Sequence, residues 1–213
     1  MAVFSCAKRI SIFLRSRCDR TNSTRLAAHA APLVVWSAMR RTIGAISDTH
    51  GLLRPQALAA LADCDPIIHA GDVGSPDILA GLGALAPVYA VRGNVDHGVW
   101  SANLPGALLI EIDGFHIYVV HILAELDPQT GDNVDAVIYG HSHQPRMETK
   151  NGTLFFNPGS AGPRRFRLPI TVGRITAGNG KLRAEIVELS VNVDIGSLAA
   201  PTAASRPPKI GAA

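Results

Sequence analysis

Five short motifs run down the sequence in one order: Asp48-Thr49-His50, Gly71-Asp72, Gly93-Asn94, His121 and Gly140-His141-Ser142-His143. They supply two carboxylates, four imidazoles and one amide oxygen. This donor set suits manganese, iron, zinc, nickel or magnesium rather than a thiolate-bound zinc or a calcium cage. Two divalent cations roughly 3.5–4 Å apart are a common means of attacking a phosphate ester with water. The seven candidate metal ligands are therefore Asp48, His50, Asp72, Asn94, His121, His141 and His143.

Each residue type has a reason to be there. Asp48 and His50 are two apart, and in extended backbone they project to the same side, so one cation can take both. Gly71 allows close backbone approach before Asp72, whose two oxygens can bridge two cations. Asn94 offers a neutral oxygen, which limits the charge crowded around a metal pair. His141 and His143 repeat the two-residue spacing. Among the remaining histidines, His116 lies five residues before His121 and faces the other side of a regular strand. His69 is either a core residue or one that orients a ligand. His97 falls on a loop near Asn94, and His29 lies outside the motif region.

The elements that must position these groups alternate. Ile43 to Ser47 reads as a buried strand, Pro55 to Ala62 as a helix with proline in its first turn, and Pro66 to Ala70 as a second strand. Ser75-Pro76-Asp77 caps a helix running to about Gly83, and Val88 to Val91 is a third strand. This is a βαβαβ arrangement with polar motifs at the carboxyl ends of strands, where open α/β sheets place ligands. The second half reads as strands over Leu108 to Ile112, Phe115 to His121, Ala136 to Tyr139, Met147 to Lys150 and Thr153 to Phe156. Ile170 to Ile175 and Lys181 to Leu189 form a last antiparallel pair. Asp113-Gly114 and Asn151-Gly152 are hairpin turn signals.

Taken together, the motifs resemble those of the calcineurin-like metallophosphoesterase superfamily, and within it the small YfcE-type phosphodiesterases. The resemblance covers residues 42 to about 190 and includes Asn157-Pro158-Gly159-Ser160, a turn expected near the metals. It implies an α/β fold, a four-layer αββα sandwich of two mixed β-sheets with a dinuclear site at the strand ends. It implies that Asp48, His50, Asp72 and His143 hold the first metal, that Asp72 bridges, and that Asn94, His121 and His141 complete the second. There are two departures from the pattern. Val95 stands where many members carry a histidine that protonates the leaving group, and Asn94 and Asp96, which flank it, are the candidate catalytic residues. Ile122 follows His121 where the family has glycine. Arg54, shortly after His50, is a candidate phosphate contact.

Composition bounds the rest. Residues 1–41 carry eight basic side chains against one acid, so residues 42–213 hold twelve basic and sixteen acidic groups, a net charge of −4. The basic pI gives the domain no reason to bind nucleic acid specifically. No apolar run approaches the ~18 residues of a membrane span. Three cysteines, of which Cys6 and Cys18 lie in the first 38 residues, make no disulfide framework. The expected divisions are 1–38, an Arg- and Ser-rich leader or over-extended start; 39–190, the metallophosphoesterase domain; and 191–213, a Pro/Ala-rich disordered tail. A reducing, cytoplasmic location follows, or a mitochondrial one if 1–38 is a transit peptide. The expected function is metal-dependent hydrolysis of a small-molecule phosphodiester by water activated at two divalent cations, foremost manganese, in a protein free to form homo-oligomers. The alternative is a scaffold of the same fold, with little activity, that binds protein partners.

Overall fold

The computed structural model describes residues 41–126, 130 and 134–190. The expected leader and tail lie outside the described residues, as do residues 39 and 40. Among the described residues, ten strands form two sheets. The first half contributes β1 (Arg41–Ile46), α1 (Pro55–Ala60), β2 (Ile67–His69), α2 (Pro76–Gly83) and β3 (Val88–Ala90). The second contributes β4 (Ala107–Ile112), β5 (Phe115–Val120), β6 (Ala136–Ile138), β7 (Arg146–Lys150) and β8 (Thr153–Asn157), and the chain then adds β9 (Thr171–Gly178) and β10 (Lys181–Glu188). Strand order is β10-β9-β1-β2-β3 in one sheet and β4-β5-β6-β8-β7 in the other, and both are mixed.

Local chemistry explains the boundaries. Pro55 and Pro76 start the two helices, where a missing N–H costs nothing. The Ser75 hydroxyl accepts from the Asp77 amide at 3.2 Å. Asp113-Gly114 and Asn151-Gly152 both take positive φ at both positions, the backbone of a tight hairpin turn. Asn179-Gly180 does the same between β9 and β10, and β9 runs on to Gly178 rather than stopping at Ile175.

Side chains alternate between layers with the period of a strand. Ile43, Ala45, Ile117, Val119, Ala136, Ile138 and Phe156 pack between the two sheets. Ile46, Ile67 and Val172 turn to the other side and pack with Ala57 and Leu61 near α1 and with Ile78 and Leu82 of α2. On the outer face of the second sheet, Val120, Val137 and Tyr139 cluster with Leu123 and Leu126. The described residues there include a 3-10 turn, Leu123–Glu125, but no α-helix.

Register brings the motifs level. Ile46 pairs with His69 and His69 with Ala90, so three parallel strands of the first sheet end together. Val119 pairs with Ile138, so β5 and β6 end together in the second. The polar residues after all five strands meet at one rim.

Candidate metal centre

Five of the seven expected ligands have left-handed backbone: Asp48, His50, Asp72, His141 and His143, with φ of 54°, 47°, 55°, 68° and 57°. Only a few per cent of non-glycine residues adopt it, and such residues cluster where structure is held for function. This corrects the extended geometry expected for Asp48 and His50. They face one side because the chain turns at both, not because of strand pleat. Backbone bonds from Asp48 N to Gly71 O, His50 N to Asp72 O and Gly51 N to Val73 O, at 2.8–3.0 Å, hold the turn against the next loop. Between them the buried Thr49 hydroxyl donates to Val73 O at 2.9 Å, so it must accept from His69 Nε2–H, also at 2.9 Å. His69 is therefore an internal tie between two ligand loops. Burial holds its pKa down at about 4, so it is neutral.

The structure brings all seven side chains together. One ligand atom from each of Asp48, His50 and His143 falls within 4.8 Å of the others, and the same holds for Asp48, Asp72 and His121. His50 Nε2 and His143 Nε2 are 3.2 Å apart. Asn94 Oδ1 is 3.1 Å from His121 Nε2 and 3.0 Å from His141 Nδ1. Each carboxylate commits one oxygen to the protein. Asp48 Oδ2 accepts from Ser47 Oγ at 2.5 Å and His141 N at 3.1 Å, and Asp72 Oδ1 accepts from Val95 N at 3.0 Å. What remains is Asp48 Oδ1, 3.2 Å from His143 Nε2, and Asp72 Oδ2, 3.8 Å from His50 Nε2 and 3.3 Å from His121 Nε2. Asp72 thus turns Oδ2 toward the imidazoles while Oδ1 accepts from the Val95 amide.

Asp48 is fully buried, and its Oδ1 has no hydrogen-bond partner. A buried carboxylate oxygen left so is costly without a cation. Facing it are imidazole nitrogens and a second carboxylate, the donor chemistry of first-row divalent metals. The residues present fit such ions.

Packing and electrostatics agree. A Cβ at Gly93 would collide with the amide nitrogen and carboxylate of Asp72, and one at Gly140 with Ser47 Oγ and Asp48 Oδ2. Burial opposes charge on Asp72, but hydrogen bonds from His121 and Val95 and the nearby imidazoles outweigh it and hold its pKa near 2. Burial also opposes charge on His121, yet Asp72 and the Ala70 carbonyl raise its pKa. His121 Nδ1 lies 2.7 Å from Ala70 O, which can only accept, so Nδ1 carries a proton and Nε2 faces the Asp72 carboxylate. For His50, burial lowers the pKa against the pull of Asp72 and Asp48.

Ile122, φ −104°, needs no glycine at its position, so that departure leaves His121 in place. Asp96, expected as catalytic, is 3 % exposed, and its carboxylate accepts the amides of Val73, Gly74 and Gly93 at 3.1, 2.7 and 2.8 Å. These bonds tie it to the loops that carry Asp72 and Asn94. Arg54, expected on phosphate, donates to Gly162 O at 3.2 and 3.4 Å and so braces a loop. Asn157 Nδ2 donates to Gly140 O at 2.8 Å and Ser160 Oγ to Asp48 O at 3.0 Å, which puts the expected turn against both ligand loops. His116 is exposed beside Asp135, 3.8 Å away, and belongs to no ligand group. Sequence reasoning missed Arg165, whose Nη2 is 3.3 Å from His50 Nε2. A run of three arginines around Phe166 was its one signal.

A family model described as the calcineurin-like phosphoesterase superfamily domain matches residues 41–180. The chain belongs to that superfamily. It is 36% identical over 167 residues to a probable metallophosphoesterase of Methanothermobacter thermautotrophicus, covering 71% of this chain and 94% of the relative. Among solved structures, an archaeal phosphodiesterase aligns at 25% identity and TM-score 0.59 over 68% of this chain and 99% of its own. YfcE, a phosphoesterase from E. coli, aligns at 21% identity and TM-score 0.52 over 70% and 99%. Vacuolar protein sorting 29 from Cryptosporidium parvum aligns at 22% identity and TM-score 0.58 over 71% and 99%. The last two likenesses show the shared superfamily fold alone.

Proposed function

We propose that this metallophosphoesterase is a phosphodiesterase that hydrolyses small-molecule diesters with two divalent cations, manganese foremost among Mn2+, Ni2+, Fe2+, Zn2+ and Mg2+. The observation that carries the reading is the split use of the two buried carboxylates, each fixed by one oxygen and presenting the other to imidazoles. In this reading Asp48, His50, Asp72 and His143 hold one cation and Asp72, Asn94, His121 and His141 the other. When bound, such cations polarise phosphoryl oxygens and make water a nucleophile at neutral pH.

The chain's own residues do the rest. Ser47, the His141 amide and the Val95 amide keep the carboxylates oriented. Ala70 O fixes the His121 tautomer, and Thr49 with His69 fixes the first turn. Asn94 would bind without adding charge, so two carboxylates would offset only half the charge of two divalent cations and leave the site attractive to an anionic diester. No histidine directly follows Asn94, so protonation of the leaving group falls to water, His97 or the substrate itself. The scaffold reading gains nothing from the site, where all seven side chains are kept and converge. A cytoplasmic location fits the one cysteine among the described residues, Cys64, which is free and buried. No helix among them is long and apolar enough to cross a membrane.

The test is metal reconstitution. Chelator-stripped protein should regain hydrolysis of bis(4-nitrophenyl) phosphate with manganese and bind two ions per chain at saturation. One ion at saturation would end the dinuclear reading. Silence with all five cations would end the enzymatic one.

A further inference from the structure

The loop between Ser160 and Ile170 has a composition and a conformation that the metal ligands do not explain. Its base is closed by the Ser160–Ile170 bridge and by Thr171 N to Ser160 O at 2.9 Å. Its first half is pinned against the ligand turn: Gly162 packs so closely on the backbone of Asp48 and Thr49 that a Cβ would collide, and Arg54 holds its carbonyl. A compact loop with joined ends and a fixed root is a common carrier of function.

From that root, Arg164, Arg165, Phe166 and Arg167 reach outward, all exposed. Arg164, Arg165 and Arg167 make no ion pair with a carboxylate among the described residues. The Arg165 guanidinium comes within 3.3 Å of the ligand atom of His50. A phosphoryl group delivered to these ligands therefore lies within its reach, and its planar fork suits phosphate oxygens.

Phe166 is stranger still. It is 93% exposed and sits at φ 52°, in a tight turn closed by Leu168 N to Arg165 O at 3.1 Å. That position favours glycine, asparagine or aspartate, and a bulky aromatic there is a backbone outlier as well as an exposed apolar surface. Folding gains nothing from either. Leu52 and Val95, each within two residues of a ligand, are also exposed.

We infer that Arg165 and Phe166 form a substrate clamp, in which Arg165 holds a phosphoryl oxygen and Phe166 stacks on a flat aromatic ring carried by the diester. The substrate class is thus a diester with an aryl or nucleobase ring close to phosphorus. The clamp rests on the phosphodiesterase reading for its orientation toward phosphate. Aromatic stacking on a ring of either kind has the strength to matter, about 5- to 150-fold in affinity when the aromatic is truncated.

Calorimetry on manganese-loaded protein with three diesters tests it: dimethyl phosphate, methyl phenyl phosphate and the methyl ester of adenosine 5′-monophosphate. Wild type should bind one or both ring-bearing diesters at least about fivefold more tightly than dimethyl phosphate. Phe166→Ala should erase that preference, and Phe166→Tyr should keep it. The ring that loses more identifies aryl or nucleobase as the source. Arg165→Ala should weaken all three by about tenfold, with metal content unchanged. A wild type without ring preference, a preference that survives Phe166→Ala, or an Arg165→Ala protein that binds like wild type would overturn the clamp. Hydrolysis is scored separately, so a protein that shows the ring preference without cleaving any diester overturns the enzymatic reading and leaves the clamp standing.

Discussion

Asp72 places one oxygen on the Val95 amide and the other between His50 and His121, so a change at this side chain reaches both halves of the ligand set. Asp72→Asn keeps the shape but removes the charge that, on the dinuclear reading, two cations would share. Turnover of an aryl diester should fall by at least about 10³-fold with far-UV circular dichroism unchanged, a loss consistent with disabling a group that organises electrostatic catalysis. His116→Ala, on an exposed strand face, should stay within about twofold of wild type in the same assay. Equal, severe losses in both folded variants would show that the histidine assignment is wrong. Val95 yields a second prediction. Its side chain is 40% exposed, leaving room for a larger one. A general acid contributes about 10²–10⁴-fold when the leaving group needs a proton. Val95→His should therefore raise turnover of an alkyl diester at least tenfold more than that of a nitrophenyl diester, which departs as a stable anion. Comparison within one variant cancels any change in metal occupancy. No selective gain in a folded, metal-replete variant would mean that position 95 does not face the leaving group.

At the scale of elements, Arg174 of β9 joins the first helix to the sheet. It donates to Ala60 O at 2.7 Å, forks onto Asp63 at 2.6 and 2.7 Å and meets Glu185 of β10 at 3.2 Å. Arg174→Ala should cost about 1–2 kcal/mol in urea denaturation at pH 7, discounted because solvent screens the exposed Asp63. The hydrogen bond from Arg174 holds the Asp63 pKa below the usual carboxylate range. A depressed folded pKa contributes stability that is present above the unfolded value and lost as pH falls through the folded one. The gap between wild type and variant should therefore narrow below about pH 4 without closing, since the Ala60 contact does not titrate. Elements of this kind were legible wherever turn chemistry was explicit. Asp113-Gly114 and Asn151-Gly152 announced their hairpins, and Ser75-Pro76 announced α2. Thr176, Ala177 and Gly178, small and weakly patterned, hid the end of β9. The convergence of the seven side chains was readable because a strand end followed by Asp, His or Asn is a chemical statement. Their left-handed backbone was not, since Asp48 and His50 fit a pleat as well as a turn on paper. The tasks of Asp96 and Arg54 stayed hidden because their partners, Gly74 and Gly162, lie 22 and 108 residues away. Arg165 meets His50 across 115 residues, a distance no local pattern spans.

At the scale of the molecule, Asp48, His50, Asp72 and Asn94 follow strands of the first sheet, and His121, His141 and His143 follow strands of the second. On the dinuclear reading, cations held by all seven would tie the sheets together, and the unfolded chain lacks that arrangement. Binding to the native state alone at a hundred times the dissociation constant adds about 2.7 kcal/mol. Saturating manganese should raise the melting temperature by about 5–10 °C and excess chelator should reverse the gain. An unchanged melting curve with bound metal would mean that the unfolded chain binds it as tightly, and that no site built by the fold holds it. The same topology divides labour between the two ends of the strands. β9 runs against β1, and β5 and β8 run with β6, so the three turns at Asp113-Gly114, Asn151-Gly152 and Asn179-Gly180 all lie at the end away from the ligands. Those turns are short, local and chemically idle, which makes them ports. A peptide tag spliced between Asn179 and Gly180 should leave kcat/KM unchanged, and the protein could be tethered to a surface or joined to another through that end with its reactive rim facing outward.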